Sequence, residues 1–239
     1  MTRFGDIARE IGWAGAMRRG VRSMLGGFRQ SWQVWGLAYA VRRLLITYAP
    51  ANPLRRRHMR SRLQHTPKLQ LGCGSSICQG WLHQDWRRGP GVDFVLDIRR
   101  LSKYVAAESL EAIFASHVLE HLPRHEVKEL LPQFASWLRP GGVLWLAVPD
   151  LRVLFALATD SSLSELEREW AHLLIATPRP GHVSAWCQED LQILLASAGF
   201  VDIAVWSEPP AELATVPGAW NYELAGRMVS LNLRATKPS

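Results

Sequence analysis

Lys68-Leu-Gln-Leu-Gly-Cys-Gly-Ser75 is the stretch on which the fold turns. A short apolar run stops at a glycine turn. A strand feeding such a turn brings backbone N–H groups close to a ligand, because no Cβ stands in the way. Glycine turns follow many strands, so the weight of the reading comes from what lies downstream.

Repeated strand-to-loop units follow. Gly80 to Trp86 reads as a strand carrying Asp85 at its end, and Val92 to Ile98 as another carrying Asp97. Glu111 to Ser116 is a third, running into His117-Val-Leu-Glu-His-Leu122. Pro123 to Arg139 has helical periodicity with Pro at the first helical position, and Pro140-Gly-Gly142 stops it. Val143 to Val148 is an apolar strand ending at Pro149-Asp150. Strands alternating with helices imply a mostly parallel, doubly wound sheet with ligands at the carboxyl ends of its strands. Only a dozen or so residues separate Gly72 from Asp85. That is too few for a full crossover helix plus a strand, so the first helix is expected to be vestigial.

Leu-Gly-Cys-Gly, two strand-end Asp residues, His-Val-Leu-Glu-His-Leu and Leu-Arg-Pro-Gly-Gly-Val-Leu, in this order, resemble a class I S-adenosylmethionine (SAM)-dependent methyltransferase. The bacterial group with Gly-Trp-Leu-x-x-Asp, Ser-His-Val-Leu-Glu-His-Leu and Val-Pro-Asp-Leu is the nearest pattern. The resemblance spans Lys68 to Leu151 and extends loosely to Ala198-Gly-Phe200. It implies a Rossmann-like α/β fold with an antiparallel edge strand and SAM as cofactor. It assigns Gly72, Cys73 and Gly74 to the methionyl and ribose portion through backbone N–H groups, and Asp85 to the ribose hydroxyls. Asp97 is assigned to the adenine amino group, Ile98 to the adenine face, and the Ser116–His117 backbone to the sulfonium end. Two departures stand out: Gln70 occupies a position that is often acidic, and Ser76 stands at the third glycine position.

A hydroxyl acceptor benefits from a base within hydrogen-bond reach. The candidates are His117, Asp150 and His182. His117, Glu120 and His121 fall at i, i+3 and i+4, so a helical turn sets all three on one face, and such a set can ligate a divalent metal. The plainer reading has Glu120 bracing the loop and His121 packing beneath it, and no metal is assigned. Residues 151–188 exceed a minimal crossover and read as two helices, with Ser164-x-x-Glu167 a capping box, forming a lid over the acceptor. Trp170 and Trp186 are candidates to stack on a ring. Val201 to Trp206 and Arg227 to Thr236 close the sheet.

The 239 residues suffice for one domain plus an extension. The three cysteines, Cys73, Cys78 and Cys187, do not form a disulfide framework and suit a reducing compartment. No secretory signal is evident, so a cytoplasmic location is expected. Residues 1–66 hold 13 arginines against Asp6 and Glu10, a balance of +11, so that residues 67–239 carry +7 − 11 = −4. Ile7, Ile11, Ala14, Met17, Val21, Leu25 and Phe28 recur at helical spacing, and Trp32, Trp35, Tyr39 and Tyr48 follow. This basic amphipathic extension reads either as an interfacial helix on anionic lipid, peripheral on the inner membrane face, or as an arm packed on the domain or on a second copy. Nucleic acid fits less well, since no binding module is present.

The expected domain is therefore residues 67–239. The expected reaction is methylation of a hydroxyl on a small molecule, sugar or lipid-linked glycan. An RNA methyltransferase using the basic arm and a non-catalytic SAM-binding module remain open as alternatives.

Overall fold

The computed structural model describes residues 51–175, 181–214 and 220–239. The apolar stripe and aromatic segment before Pro50, and the Pro178-Arg-Pro180 part of the lid loop, lie outside the described residues.

Seven strands form one sheet: β1 (Lys68–Leu71), β2 (Leu82–Asp85), β3 (Phe94–Val95), β4 (Leu110–Ser116), β5 (Leu138–Pro149), β6 (Val201–Val205) and β9 (Ser230–Thr236). Their order is β3-β2-β1-β4-β5-β9-β6. All neighbours from β3 to β5 pair in parallel, and β9 runs antiparallel to both β5 and β6. The antiparallel strand thus sits one place in from the edge. A hairpin, β7 (Glu223–Leu224) with β8 (Arg227–Met228), precedes β9, so the last strand is shorter than the span expected from Arg227.

The chain runs outward from β1 through β2 to β3, then returns to place β4 on the other side of β1. The direction of winding reverses between β1 and β4. In open α/β sheets the crevice beyond such a reversal is where ligands bind. As the spacing required, no helix joins β1 to β2.

Six helices complete the described residues: α1 (Pro53–His65), α2 (Arg124–Trp137), α3 (Leu151–Thr159), α4 (Glu165–Ile175), α5 (Gln188–Ser197) and α6 (Ala211–Ala214). Alternation along the central strands splits their side chains between the two faces. Leu69, Leu71, Ile113, Leu144 and Leu146 pack with Met59 and Leu63 of α1, Leu130 and Phe134 of α2, and Leu191 and Leu195 of α5. On the other face Ala112 and Phe114 pack with Cys78, Trp81 and Leu213.

Two boundaries depart from the sequence reading. Helix α1 belongs to the domain rather than to the extension: the compact unit begins at Ala51. Met59 and Leu63 are each 1% exposed. Asn52 caps the helix ahead of Pro53, Arg62 pairs with Asp93 at 2.8 Å, and Arg60 donates to the Tyr104 carbonyl. The run of arginines concealed the two-residue apolar seam that fixes it. Second, α2 ends at Trp137 and β5 starts directly at Leu138, so Pro140-Gly-Gly142 lies within the strand's entry rather than ending the helix. The Ser164–Glu167 capping box is present: Ser164 N donates to Glu167 Oε2 at 2.9 Å, and Glu167 N to Ser164 Oγ at 3.3 Å. No helix of the described residues is long and apolar enough to cross a membrane.

Candidate active site

A cleft of about 440 Å³ opens at the reversal point. It is lined by Gln70, the turn Gly72–Ser76, Ser116, His117, Leu174, His182 and Tyr222. Two strand ends make its floor, and the insertion after β5 contributes Leu174 and His182.

The turn is shaped by its glycines. Gly72 and Gly74 have φ of +57° and +55°, a region costly for residues with a Cβ. A Cβ on Gly72 would lie 2.6 Å from Val118 Cγ2, whereas one on Gly74 would meet nothing within 4 Å. Gly72 therefore permits close packing of the two strand ends, and Gly74 leaves open space beside the cleft.

The N–H groups of this turn were expected to face the ligand. They face the protein instead. Gly72 N donates to Gln84 Oε1 at 3.3 Å, Cys73 N to the Gln84 carbonyl at 3.1 Å, and Gly74 N to Asp85 Oδ2 at 2.9 Å. The turn lines the cleft and is pinned by the end of β2.

Gln70 explains its own departure from the family pattern. Its amide donates to the Ser76 carbonyl at 2.7 Å and accepts from Cys78 N at 3.2 Å. A carboxylate only accepts, so it would lose the first contact. Gln70, 2% exposed, closes the turn at Ser76 from beneath.

Asp85 is buried. Its Oδ2 holds Gly74 N, and its Oδ1 holds Arg87 N at 2.8 Å. Each carboxylate oxygen keeps further accepting capacity. Asp97 caps a short 3-10 turn by accepting from Arg99 N at 3.1 Å, and Ile98 is buried in the main core. Asp85, Asp97 and Ile98 are not among the cleft's lining residues.

Burial, reinforced by the Asp85 charge, pushes the Cys73 thiol up to about 11. Burial likewise pushes Cys78 to about 12. Neither is a thiolate near neutrality, so neither acts as a nucleophile.

At the other end of the cleft stand the titratable groups. His117, with φ +52°, is held on both ring nitrogens: Nδ1 lies 3.1 Å from Glu120 Oε1 and Nε2 lies 3.1 Å from Ser230 Oγ. Its N–H donates to the Ala147 carbonyl, so it too faces the sheet. His182 Nδ1 lies 2.7 Å from the Leu174 carbonyl, and its Nε2 lies 4.0 Å from Glu120 Oε1. Glu120 is 1% exposed. Its Oε2 and the Ser116 hydroxyl are both buried, with no hydrogen-bond partner among the described residues.

Asp150 does not join them. It caps α3, its Oδ1 accepting from Arg152 N at 2.9 Å and Val153 N at 3.4 Å. A strand-end acid preceding a helix satisfies orphan N–H groups, and Asp150 is not among the cleft's lining residues. Trp186 is fully buried in the core, and Trp170 is exposed, away from the cleft. Tyr222, its ring 6.4 Å from that of His117, was missed by sequence reasoning. It lies in an irregular segment and carries no motif.

The sheet order, the reversal-point cleft and the glycine turn make a Rossmann-like doubly wound α/β sheet, the fold that class I SAM-dependent methyltransferases share. Residues 40–205 match the family described as a methyltransferase domain, and the chain belongs to that family. No significant match is found among curated proteins. Similar solved structures include a possible exported protein from Bordetella parapertussis, at 16% identity over 77% of this chain and 67% of that one, with TM-score 0.46. A SAM-dependent methyltransferase from Archaeoglobus fulgidus has 14% identity over 81% and 98%, with TM-score 0.47. The Burkholderia thailandensis 1,6-didemethyltoxoflavin-N1-methyltransferase, solved with 1,6-didemethyltoxoflavin and S-adenosylhomocysteine, has 14% identity over 95% and 90%, with TM-score 0.44.

The residues present fit the cofactor. Gly74 leaves open space where a Cβ would stand, and the cleft beside it is of small-molecule size.

Proposed function

We propose that this enzyme methylates a hydroxyl group of a small molecule, sugar or lipid-linked glycan. The observation that carries the proposal is an imidazole–carboxylate cluster: His117 and His182 line the same cleft as the glycine turn, and buried Glu120 stands behind them. An amine nucleophile needs no help once neutral, whereas a hydroxyl gains from losing its proton as it attacks.

SAM supplies an activated methyl group on a sulfonium. In this proposal Gly72–Gly74 shape the seat for its methionyl and ribose portion, and Asp85 uses its remaining lone pairs for the ribose hydroxyls. Asp97 and Ile98 receive the adenine where β3 ends. The Ser116 hydroxyl, buried and unpartnered among the described residues, is available to the methionyl end. Ser116 and His117 border the space between donor and acceptor. Holding the acceptor oxygen in line with the methyl carbon is the main catalytic task. The acceptor oxygen forms the new C–O bond, the C–S bonding pair stays on sulfur, and the hydroxyl proton leaves through the histidine end.

The test is calorimetric titration with SAM and S-adenosylhomocysteine, followed by a broad acceptor panel. Micromolar cofactor binding, weakened at least about tenfold in Asp85→Ala, is expected; one ribose hydrogen bond to a carboxylate is worth about 1.5–3 kcal/mol. Methylation of RNA or DNA alone would overturn the hydroxyl-acceptor reading.

The arginine-rich extension is proposed to contact an anionic membrane surface on the cytoplasmic side. Exposed Leu54 and Arg55–Arg57, at the start of α1, support it by continuing the basic character to the domain's surface. Co-sedimentation with anionic liposomes that persists after removal of residues 1–50 and neutralisation of Arg55–Arg57 would refute it.

A further inference from the structure

We propose that Glu120, His121 and His182 form a binding site for one divalent transition-metal ion of the zinc type, bordering the acceptor end of the cleft. The inference rests on the methyltransferase reading and specifies how that end handles a hydroxyl.

Side-chain placement comes first. One ligand atom from each of the three residues lies within 4.8 Å of the others. Two ligands bound about 2.1 Å from one ion stand at most about 4.2 Å apart, so closure over an ion requires movements of under about 1 Å. Rotation of exposed His121 accommodates that.

The hydrogen bonds fix the ring tautomers. His121 Nδ1 lies 2.8 Å from the Gly181 carbonyl, and His182 Nδ1 lies 2.7 Å from the Leu174 carbonyl. A carbonyl only accepts, so each Nδ1 donates, and in the neutral ring each Nε2 is left with the lone pair that a metal needs. Histidine ligands are held in this way, the second nitrogen anchored to a backbone carbonyl. The two rings are 5.2 Å apart at 69°, neither stacked nor hydrogen-bonded to each other.

The carboxylate supplies an independent observation. Glu120 is 1% exposed, and its Oε2 has no hydrogen-bond partner among the described residues. Its other oxygen meets His117. A buried carboxylate with an orphaned oxygen is expensive unless a cation or donor completes it, and in the neutral rings the two Nε2 atoms offer lone pairs rather than protons.

Two histidines and one glutamate leave a coordination position open, the arrangement of catalytic rather than structural zinc. Because His182 lines the cleft, that position borders the space for an acceptor. A hydroxyl bound to the ion is a stronger acid than one in water. It attacks the methyl carbon as its oxygen forms the C–O bond, the C–S pair passes to sulfur, and its proton is released to solvent. The acceptor class is therefore an alcohol whose oxygen binds a cation.

The experiment uses the full chain stripped with chelator and titrated with Co²⁺ alone, then with Zn²⁺ in competition. One equivalent of Co²⁺ is expected, giving a visible d–d spectrum that Zn²⁺ abolishes. His121→Ala and His182→Ala should each weaken Co²⁺ binding by about tenfold or more, with SAM binding by calorimetry retained as proof of folding. His65→Ala, on α1, should change nothing. Failure to take up a stoichiometric ion, or uptake indifferent to His121→Ala and His182→Ala, overturns the site. Loss of SAM binding by the unsubstituted protein would instead overturn the methyltransferase reading, so the two failures are distinguishable.

Discussion

The two ends of the cleft are built differently. At the glycine turn, side chains serve the backbone: Gln70, Gln84 and Asp85 accept from main-chain N–H groups 8 to 12 residues away. At the histidine end, side chains meet side chains from distant parts of the chain. His117 meets Ser230, 113 residues on, and His182 faces Glu120 across 4.0 Å. The three turn N–H groups all have protein acceptors, whereas at the histidine end the Ser116 hydroxyl and a buried Glu120 oxygen have no hydrogen-bond partner among the described residues. A seat for a constant ligand is well served by rigid local bonding. An end that must take a reacting partner keeps polar capacity in reserve, which costs stability.

Substitutions in the turn test the rigidity of the first end. Gly72→Ala is expected to have the largest effect, combining a left-handed φ with a 2.6 Å clash on Val118. The loss is about 2–4 kcal/mol in denaturant melts, with cofactor affinity falling at least tenfold. Adding Val118→Ala should recover part of the stability. Gly74→Ala, with open space at its Cβ, should cost only about 1–2 kcal/mol; equal losses for the two would remove the close-packing argument.

Gln70→Glu asks whether the brace needs a donor. It keeps an acceptor for Cys78 N and sets a carboxylate against the Ser76 carbonyl. About 1–3 kcal/mol should be lost, and a variant that binds SAM more tightly without losing stability would show that the family's acid was simply missing. Asp150→Ala separates cap from base. Stability should drop by about 1 kcal/mol while methyl transfer per folded molecule holds. An activity loss exceeding the stability loss would return Asp150 to the chemistry.

The smallest effect concerns Cys73. With its thiol near 11, only about one molecule in a thousand is a thiolate at pH 8. Alkylation by iodoacetamide should be barely measurable there and rise about tenfold per pH unit up to that value. Asp85→Asn should speed it, because the Asp85 charge contributes to the elevation. Fast labelling at pH 7 would mean that the turn opens.

The glycine turn, the strand-end acids and the capping box were legible because each is a local contract between a few neighbouring residues. A turn at positive φ calls for glycine, a helix start for Ser, Asp or Asn, and a parallel strand for a β-branched or leucine run. The order of these signals along the chain was enough to determine the fold class and family. The placement of α1 was hidden because Met59 and Leu63 are two apolar residues in a run of arginines, too few to make a periodic signal.

What only the tertiary structure decided is which polar groups share a space. The sequence put His117, Glu120 and His121 on one face, yet folding ties up His117 between Glu120 and Ser230 and brings His182 from 61 residues beyond His121. It also turned Asp150 into a cap and set Tyr222 beside His117. Helical spacing predicts neighbours within a turn, but convergence of loops depends on how the sheet and its covering helices pack, and no local pattern encodes that.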